Sequence, residues 1–202
     1  MTSTNLILTN INNYMQWHYQ GKEFIPPEDF SSNDYYGFVY LIRDPRSVAI
    51  SYAYHSNQSY ENSVNEILNE KSVAYDEDNI ITYRSSWKVN YFSWIKSPYP
   101  RVVLKYEDLK KDEFSNFKKV LEFINKFKKI EIDDLKIKKT IEKCNFQKLK
   151  NEENKNGFIE RWGKENFFRE GKIDEWENKL SKDLIKKIEK AFEEIMINYD
   201  YL

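Results

Sequence analysis

The sequence predicts a three-layer α/β fold with a mostly parallel sheet, formed by residues 1–202 as a single domain. Short apolar runs alternate with stretches of helical periodicity, and strands separated by helices are typical of a parallel sheet with helices on its faces. The hydrophobic fraction of 40%, with 16% aromatic residues, is sufficient for one buried core. A length of 202 residues is within the range of one domain.

The first half of the chain contains two predicted strands and a helix. Asn5–Thr9 has the composition of a strand, and Gly37–Ile42 is an apolar run without polar alternation, which is typical of a strand buried on both faces. A helix is expected over Ser47–His55. The polar stretch Asn57–Asn79 is predicted to be a loop or a lid.

The middle of the chain continues the alternation. Tyr83–Lys96 places three aromatic side chains at helical spacing, and Val102–Tyr106 has strand composition. We expect Val102–Tyr106 to pair in parallel with Gly37–Ile42, which would be the central strand. A further apolar stripe over residues 114–124 predicts a helix with Asp112 as its N-cap.

The last third of the chain is predicted to be largely helical. Leu135–Leu149 and Leu184–Met196 both show helical periodicity, and the second follows Ser181. Asn151–Lys172 is polar and is predicted to be a loop or a lid.

The charge composition argues against a protein whose main task is to coat nucleic acid. The 32 basic and 33 acidic side chains leave a net charge of −1. Residues 101–150 carry 15 basic and 9 acidic side chains, a local charge of +6, and this is interpreted as the solvated face of two helices. RNA binding by this face is the weakest alternative, because no motif of stacking aromatic residues accompanies the charge.

Several classes of site and location are not expected. Cys144 cannot form an internal disulfide, and only His18 and His55 accompany it, so no metal site is expected. No apolar stretch approaches the roughly 20 residues of a membrane span, and the N-terminus lacks the positive segment of a signal peptide. We therefore expect a reduced, cytoplasmic protein without a membrane partner. The five glycines do not form a phosphate-binding loop.

The segment Arg43–Tyr52 is the candidate site. Ligands of parallel α/β sheets bind beyond the carboxyl ends of the strands, where Arg43 is expected. Arg43 and Ser51 could converge on a phosphate. Alternatively, Arg43 pairs with Asp44 or another acidic residue in an ordinary connection between strand and helix, and the spacing alone favours this second interpretation.

The segment FVYLIRDPRSVAISYAYHS resembles the sulfotransferase family that uses 3′-phosphoadenosine 5′-phosphosulfate. The resemblance implies that Arg43 and Ser51 bind the 3′-phosphate of this co-substrate. The later segment KYEDLKKDEFSNFKKVLEFI is similar to a strand and helix of the family, which implies that Tyr106 lies near the nucleotide.

Two further segments extend the resemblance. CNFQKLK is similar to T-S-F-x-x-[ML]-K of the family and implies that Phe146 contacts the adenine. FFREGKIDEW resembles F-x-R-K-G-x-x-G-D-W and implies that Arg169 and Gly171 bind on the 3′-phosphate side. The implied fold is of the P-loop NTPase-like sulfotransferase type. The implied acceptor is a small molecule or saccharide with a hydroxyl or an amine.

The sequence departs from the family at three places. The P-K-S-G-T-T-W-type segment that binds the phosphosulfate does not occur, which predicts an N-terminally truncated form of the fold. The K-T-H motif that supplies the catalytic base corresponds best to Leu8-Thr9-Asn10, and an amide cannot act as the base. His18 is the nearest imidazole and the catalytic candidate, although its surroundings predict a hairpin around Gly21. Glu170 stands where the family has a lysine.

Two functions therefore stay open. The first is transfer of a sulfuryl group from the co-substrate to a hydroxyl or amine, with the activity of the chain alone in doubt. The second is an inactive truncated sulfotransferase that binds the nucleotide weakly or acts as an interaction module.

Overall fold

The structure is a computed structural model that describes residues 6–9, 18–20, 23–25, 35–75, 81–158 and 166–202. Helices predominate over strands in these ranges. In chain order the elements are β1 (Leu6–Thr9), β2 (His18–Gln20), β3 (Glu23–Ile25), β4 (Tyr35–Ile42), α1 (Pro45–His55), α2 (Tyr60–Leu68), β5 (Val73–Tyr75), β6 (Ile81–Tyr83), α3 (Trp87–Ile95), β7 (Arg101–Lys105), α4 (Tyr106–Lys111), α5 (Glu113–Asn125), α6 (Asp134–Lys143), α7 (Phe146–Asn156), α8 (Trp176–Lys179) and α9 (Lys182–Asn198).

The main sheet has the strand order β1-β4-β7. β4 pairs in parallel with β7, with Val39 opposite Val102 and Ile42 opposite Lys105. The predicted central strand and its parallel neighbour are therefore confirmed, and the architecture is α/β. β1 is the predicted third strand, and it pairs antiparallel to β4 with Leu6 opposite Val39. Two separate antiparallel pairs, β2 with β3 and β5 with β6, are also described.

The core is centred on β4, which is buried on both faces. Phe38, Val39 and Tyr40 are consecutive, so they point to alternate faces, and all three are less than 9% exposed. Helix α9 contributes Ile188 and Ile195 to the same core. This burial confirms the interpretation of the unbroken apolar run as a central strand.

Polar side chains at helix starts decide where the helices begin. Asp112 accepts a hydrogen bond from the backbone N–H of Ser115, and Ser181 accepts one from that of Leu184, which confirms Asp112 as the predicted cap and the predicted start after Ser181. The prediction that a helix starts at Tyr83 is wrong. Residues 81–83 form a strand, and α3 begins only at Trp87 because Ser86 caps it.

Three predictions about longer segments also need correction. The single helix expected over Leu135–Leu149 is divided into α6 and α7, because Asn145 caps a new helix by accepting from the N–H of Gln147. The loop expected over Asn57–Asn79 contains α2, whose Val64 and Ile67 are buried in the core. Similarly, residues 151–156 continue α7 instead of forming a loop.

No helix in the described ranges has the length and apolar character that a bilayer crossing requires.

Candidate functional site

Two carboxylates, those of Asp44 and Glu107, hold the turn between β4 and α1. Asp44 is the N-cap of α1, and its side chain accepts from the backbone N–H of Arg46 at 2.8 Å. The backbone N–H of Asp44 donates in turn to the carboxylate of Glu107 at 3.1 Å. Pro45 fits the first turn of the helix, where no backbone donor is needed. The chain therefore leaves the sheet in a fixed direction.

Arg43 and Tyr106 meet because β4 and β7 are parallel and in register. Each of the two residues directly follows the end of its strand. The guanidinium carbon of Arg43 lies 4.4 Å from the centroid of the Tyr106 ring, and its Nη2 donates to the carbonyl oxygen of Lys172 at 3.4 Å. The alternative in which Arg43 pairs with Asp44 is not what the structure shows, because the Asp44 carboxylate binds Arg46 at 2.7 Å. No other acidic side chain in the described ranges pairs with Arg43 either.

The Nε atom of Arg43 is buried and has no hydrogen-bond partner within the part of the chain that the structure describes. A buried donor without an acceptor costs about 1–3 kcal/mol, and such donors in folded proteins call for a specific explanation. An anion that binds beside Arg43 would supply the acceptor.

Residues 169–173 lie along one face of α1. The Ser47 hydroxyl donates to the carbonyl oxygen of Ile173 at 2.6 Å, and the Arg169 guanidinium carbon lies 3.9 Å from the centroid of the Tyr54 ring. Ser51 lies between Ser47 and Tyr54 on the same helical face, because residues spaced by three and four share a face. Ser51 therefore faces the middle of this segment.

Gly171 allows that segment to approach Phe146 closely. Its φ of +64° is in the left-handed region, and a Cβ atom at this position would lie 2.9 Å from the Phe146 ring. Phe146 is the first residue of α7, and the Nζ atom of Lys110 lies 5.4 Å from the centroid of its ring. Any side chain at residue 171 would therefore clash with the Phe146 ring.

Helix α7 also fixes the residues that precede this segment. The buried Glu153 carboxylate accepts from the backbone N–H groups of Phe167 at 2.6 Å and Phe168 at 2.8 Å. The Lys150 ammonium donates to the carbonyl oxygen of Arg169 at 2.7 Å. The ring of Phe146 and the backbone of residues 167–169 are thus attached to the same helix.

Arg169 is held by carboxylates. Its guanidinium donates to both oxygens of Glu175 and, at 2.7 Å, to Glu170. Lys179 also donates to Glu175. Burial raises the pKa of Glu175, but the hydrogen bonds from Arg169 and Lys179 outweigh this effect and hold the pKa below its ordinary value. Glu175 is therefore ionised at neutral pH.

The structure brings most of the predicted site residues to one region. Arg43 contacts Tyr106, and the φ of Gly171 and its lack of a side chain allow the approach to Phe146. Ser51 lies on the face of α1 between the contact of Ser47 with Ile173 and that of Tyr54 with Arg169. The backbone of His18 is part of the hairpin strand β2, which pairs with β3 as predicted, but its side chain lies outside the described part. The role of His18 as a base stays a prediction.

Three contributors were missed from the sequence: Ser47, Tyr54 and Lys110. Ser47 and Tyr54 share a helical face with Ser51, so the i−4 and i+3 spacing could have identified them. No comparable signal exists for Lys110, whose neighbour Phe146 is far away in the sequence. Within the described ranges no three His, Cys, Asp or Glu side chains are grouped so as to hold a metal ion.

The chain resembles known proteins over most of its length. A family model described as "Sulfotransferase domain" matches residues 28–200. Flavonol 3-sulfotransferase of Flaveria bidentis is 32% identical over 166 residues, which cover 77% of this chain and 53% of that protein. Cytosolic sulfotransferase 15 of Arabidopsis thaliana is 30% identical, over 74% of this chain and 44% of that protein. The chain spans about half the length of these curated relatives.

A solved structure shares the fold. Mouse sulfotransferase SULT7A1, complexed with PAP, superposes with a TM-score of 0.59 and 23% sequence identity over 81% of this chain and 59% of that chain. The fold implied by the sequence resemblance, the P-loop-like α/β fold of sulfotransferases, is therefore confirmed. The family match over residues 28–200 shows that the chain belongs to the sulfotransferase family.

Proposed function

We propose that the chain binds the nucleotide of 3′-phosphoadenosine 5′-phosphosulfate through Arg43, Ser51, Tyr106, Phe146, Arg169 and Gly171. The observation that carries the proposal is the buried Nε of Arg43, which lacks a hydrogen-bond partner in the described ranges. A phosphate oxygen would accept from this atom in a charge-assisted hydrogen bond.

The residues around Arg43 fit a phosphorylated nucleoside. Ser51 offers a hydroxyl on the face of α1 along which residues 169–173 lie, and Arg169 adds a second guanidinium. The ring of Phe146 offers a flat apolar face on which a purine can stack. The absence of a side chain at Gly171 lets residues 169–173 pack directly against that ring.

Titration calorimetry with 3′-phosphoadenosine 5′-phosphate (PAP) tests this site. Arg43→Ala removes a charged hydrogen bond worth about 1.5–3 kcal/mol, so we expect affinity to fall roughly 10–100-fold. Arg101→Ala is the matched control, because Arg101 is an exposed arginine at the opposite end of the sheet, where β7 begins. Equal affinity in wild type and Arg43→Ala, or no binding in either, would contradict the site.

The reaction proposed for the family site is sulfuryl transfer to a hydroxyl or amine of a small molecule or saccharide. The acceptor oxygen or nitrogen bonds to sulfur, the bond from sulfur to the 5′-phosphate oxygen breaks, PAP leaves, and the acceptor proton passes to a base. His18 is the candidate for that base. The relative named flavonol 3-sulfotransferase supports a small hydroxyl-bearing acceptor.

An inactive, nucleotide-binding form is the alternative, and two observations favour it. The P-K-S-G-T-T-W-type segment does not occur among the 202 residues, and Glu170 puts a negative charge where the family has lysine. A general base alone contributes about 10²–10⁴ in rate, and stabilisation of the transferring group contributes as much or more. We therefore expect turnover by the 202-residue chain to be far below that of full-length relatives.

The two alternatives separate in a transfer assay with labelled sulfate and a panel of phenols, alcohols, amines and sugars. Undetectable transfer together with PAP binding supports the inactive form. Robust transfer that His18→Ala abolishes and Asn10→Ala leaves unchanged supports the enzyme, with His18 as the base. Transfer that survives both changes would show that the base lies elsewhere.

A cytoplasmic location belongs to the same proposal. The relative named cytosolic sulfotransferase 15 supports it, as does a composition with a single cysteine, which cannot form an internal disulfide. A tagged chain that fractionates with the cytosol would agree with this location, and recovery from a secreted fraction would contradict it.

A further inference from the structure

The second inference rests on the proposed nucleotide site and adds a residue to it. We propose that Tyr54 is a positioning residue for Arg169. Its ring supports the guanidinium on one face, and Lys179 and Tyr60 keep that ring in place. Through Arg169, Tyr54 would determine how strongly the site prefers nucleotides that carry a 3′-phosphate.

The ring of Tyr54 fixes Arg169 in the direction perpendicular to the guanidinium plane. The guanidinium carbon lies 3.9 Å from the ring centroid, which is stacking distance. Both residues are half-buried, so the contact is partly shielded from water. A guanidinium stacked on an aromatic face keeps its N–H groups at the edge available for hydrogen bonds.

The hydroxyl of Tyr54 is held by two other elements. It lies 3.0 Å from the hydroxyl of Tyr60 at the start of α2, and it accepts from the Lys179 ammonium at the end of α8 at 2.9 Å. The hydrogen bond from Lys179, with that from Tyr60, lowers the pKa of Tyr54 below its ordinary value. Contacts from two separate helices leave the ring little freedom to rotate.

Glu175 fixes Arg169 within the guanidinium plane. A guanidinium has five N–H groups. The Nη1 atom donates to Glu170 at 2.7 Å and to Glu175 at 2.6 Å, and Nη2 donates to the other oxygen of Glu175. Three N–H groups are thus used, and in the part of the chain that the structure describes the second N–H of Nη2 and that of Nε have no acceptor, so they can meet a phosphate.

An aromatic support is suited to a site that already contains several carboxylates. Glu170 and Glu175 both contact Arg169, and a third carboxylate would further reduce the positive charge that attracts a phosphate. Lys172 pairs with Glu170 at 3.0 Å, and Lys179 pairs with Glu175, so each carboxylate is shared with a second cation. The uncharged ring of Tyr54 orients Arg169 without neutralising it.

The test compares the affinities of PAP and of adenosine 5′-phosphate, which lacks the 3′-phosphate, by titration calorimetry. Tyr54→Leu removes the ring, and we expect the ratio of the two affinities to fall about 3–30-fold, in the range of a cation–π contact. Tyr54→Phe keeps the ring but loses the hydroxyl contacts, so a smaller fall is expected. The affinity for adenosine 5′-phosphate should stay the same in both variants.

Tyr52→Leu is the matched control. Tyr52 is on the same helix, and the Arg84 guanidinium lies 5.6 Å from its ring centroid, away from residues 169–173. This variant removes another tyrosine that contacts an arginine, and we expect an unchanged affinity ratio. A ratio that falls equally in Tyr52→Leu would show that general loosening of α1 is the cause and would overturn the proposal. Tyr54→Phe also tests for general loosening of α1, because this variant keeps the packing of the ring.

Failure of this proposal differs from failure of the nucleotide site. A wild-type chain that binds both nucleotides with equal affinity would contradict the site itself. A wild-type preference for PAP that Arg169→Ala reduces but Tyr54→Leu leaves intact would overturn only the positioning role of Tyr54. A preference that Arg169→Ala leaves intact would overturn that role as well, since Tyr54 would then have nothing to position.

Discussion

Arg43 and Arg46 are three residues apart on the same turn, and their surroundings are opposite. Arg46 is 6% exposed and donates to Asp44, to Glu189 at 2.6 Å and to the carbonyl oxygen of Tyr201 at 2.6 Å. Arg43 stacks on a tyrosine ring, makes one long hydrogen bond and keeps a buried Nε without a partner in the described ranges. Asp44, which could pair with either arginine, pairs with Arg46.

The difference separates a structural arginine from a binding one. Protein atoms accept from four of the five N–H groups of Arg46, and its guanidinium also lies 3.8 Å from the Trp176 ring. Arg43 is held in direction by Tyr106 and the backbone, and in the described ranges no carboxylate pairs with it. A cation that is oriented and unpaired is suited to bind an anion.

Arg46→Met should have the largest effect on stability. It leaves the buried Asp44 carboxylate and Glu189 without their cation, and breaking a buried ion pair in this way costs about 3–5 kcal/mol. Urea denaturation followed by circular dichroism measures the change. A loss below about 1 kcal/mol would show that the network around Arg46 does not support the fold.

The contrast between the two arginines also shows how much of the structure could be predicted from the sequence. The central strand, its parallel partner and the caps at Asp112 and Ser181 were predictable, because each depends on residues close together in the chain. The position of Arg43 followed from the end of a buried strand. The partners of Arg46 could not be predicted, because Glu189 and Tyr201 are 143 and 155 residues away.

The same limit applies to the secondary elements and the site. Helix α2 was predicted to be a loop because its surface is polar, whereas the packing of Val64 and Ile67 against the core stabilises it as a helix. The antiparallel direction of β1 depends on a pairing that residue patterns do not encode. The contact of Arg169 with Tyr54 joins segments that are remote in sequence.

Glu107→Gln should destabilise the protein by about 1–3 kcal/mol, the cost of disturbing a buried hydrogen-bonded group. Glu107 accepts from the N–H of Asp44 at 3.1 Å and from the hydroxyl of Tyr201 at 2.9 Å, so it orients two of the three partners of Arg46. An amide can accept through only one of these two atoms. Urea denaturation, with the exposed Glu122→Gln as the control, measures the difference. Equal stability of the two variants would contradict this role.

Stability should decline at alkaline pH, and Tyr201 should account for part of the decline. Burial raises the pKa of Tyr201 above its ordinary value of 10, and the adjacent Glu107 carboxylate raises it further. Above pH 10 the unfolded state loses this proton and the folded state retains it. The stabilisation is therefore complete below pH 10 and is lost as the pH rises.

Urea denaturation at pH 8, 10 and 11 measures this dependence. Tyr201→Phe should flatten the slope above pH 10 by up to about 1.4 kcal/mol per pH unit, the value for one proton. The variant also loses the bond to Glu107, so the readout is the slope and not the stability at pH 8. Parallel slopes for wild type and Tyr201→Phe would show that this hydroxyl ionises normally in the folded state.

Arg43→Met should change the stability of the nucleotide-free protein least, by less than about 1 kcal/mol, and the change could be favourable. The substitution removes a buried donor that has no acceptor in the described ranges and retains an apolar stem against Tyr106. Thermal melts without PAP measure this stability, and melts with PAP measure how much the nucleotide stabilises the folded state. At 100 times Kd a ligand stabilises the folded state by about 2.7 kcal/mol, and Arg43→Met should lose most of this shift. A loss of stability as large as that of Arg46→Met would mean that Arg43 is also a structural residue. An unchanged shift with PAP would mean that the nucleotide does not bind at Arg43.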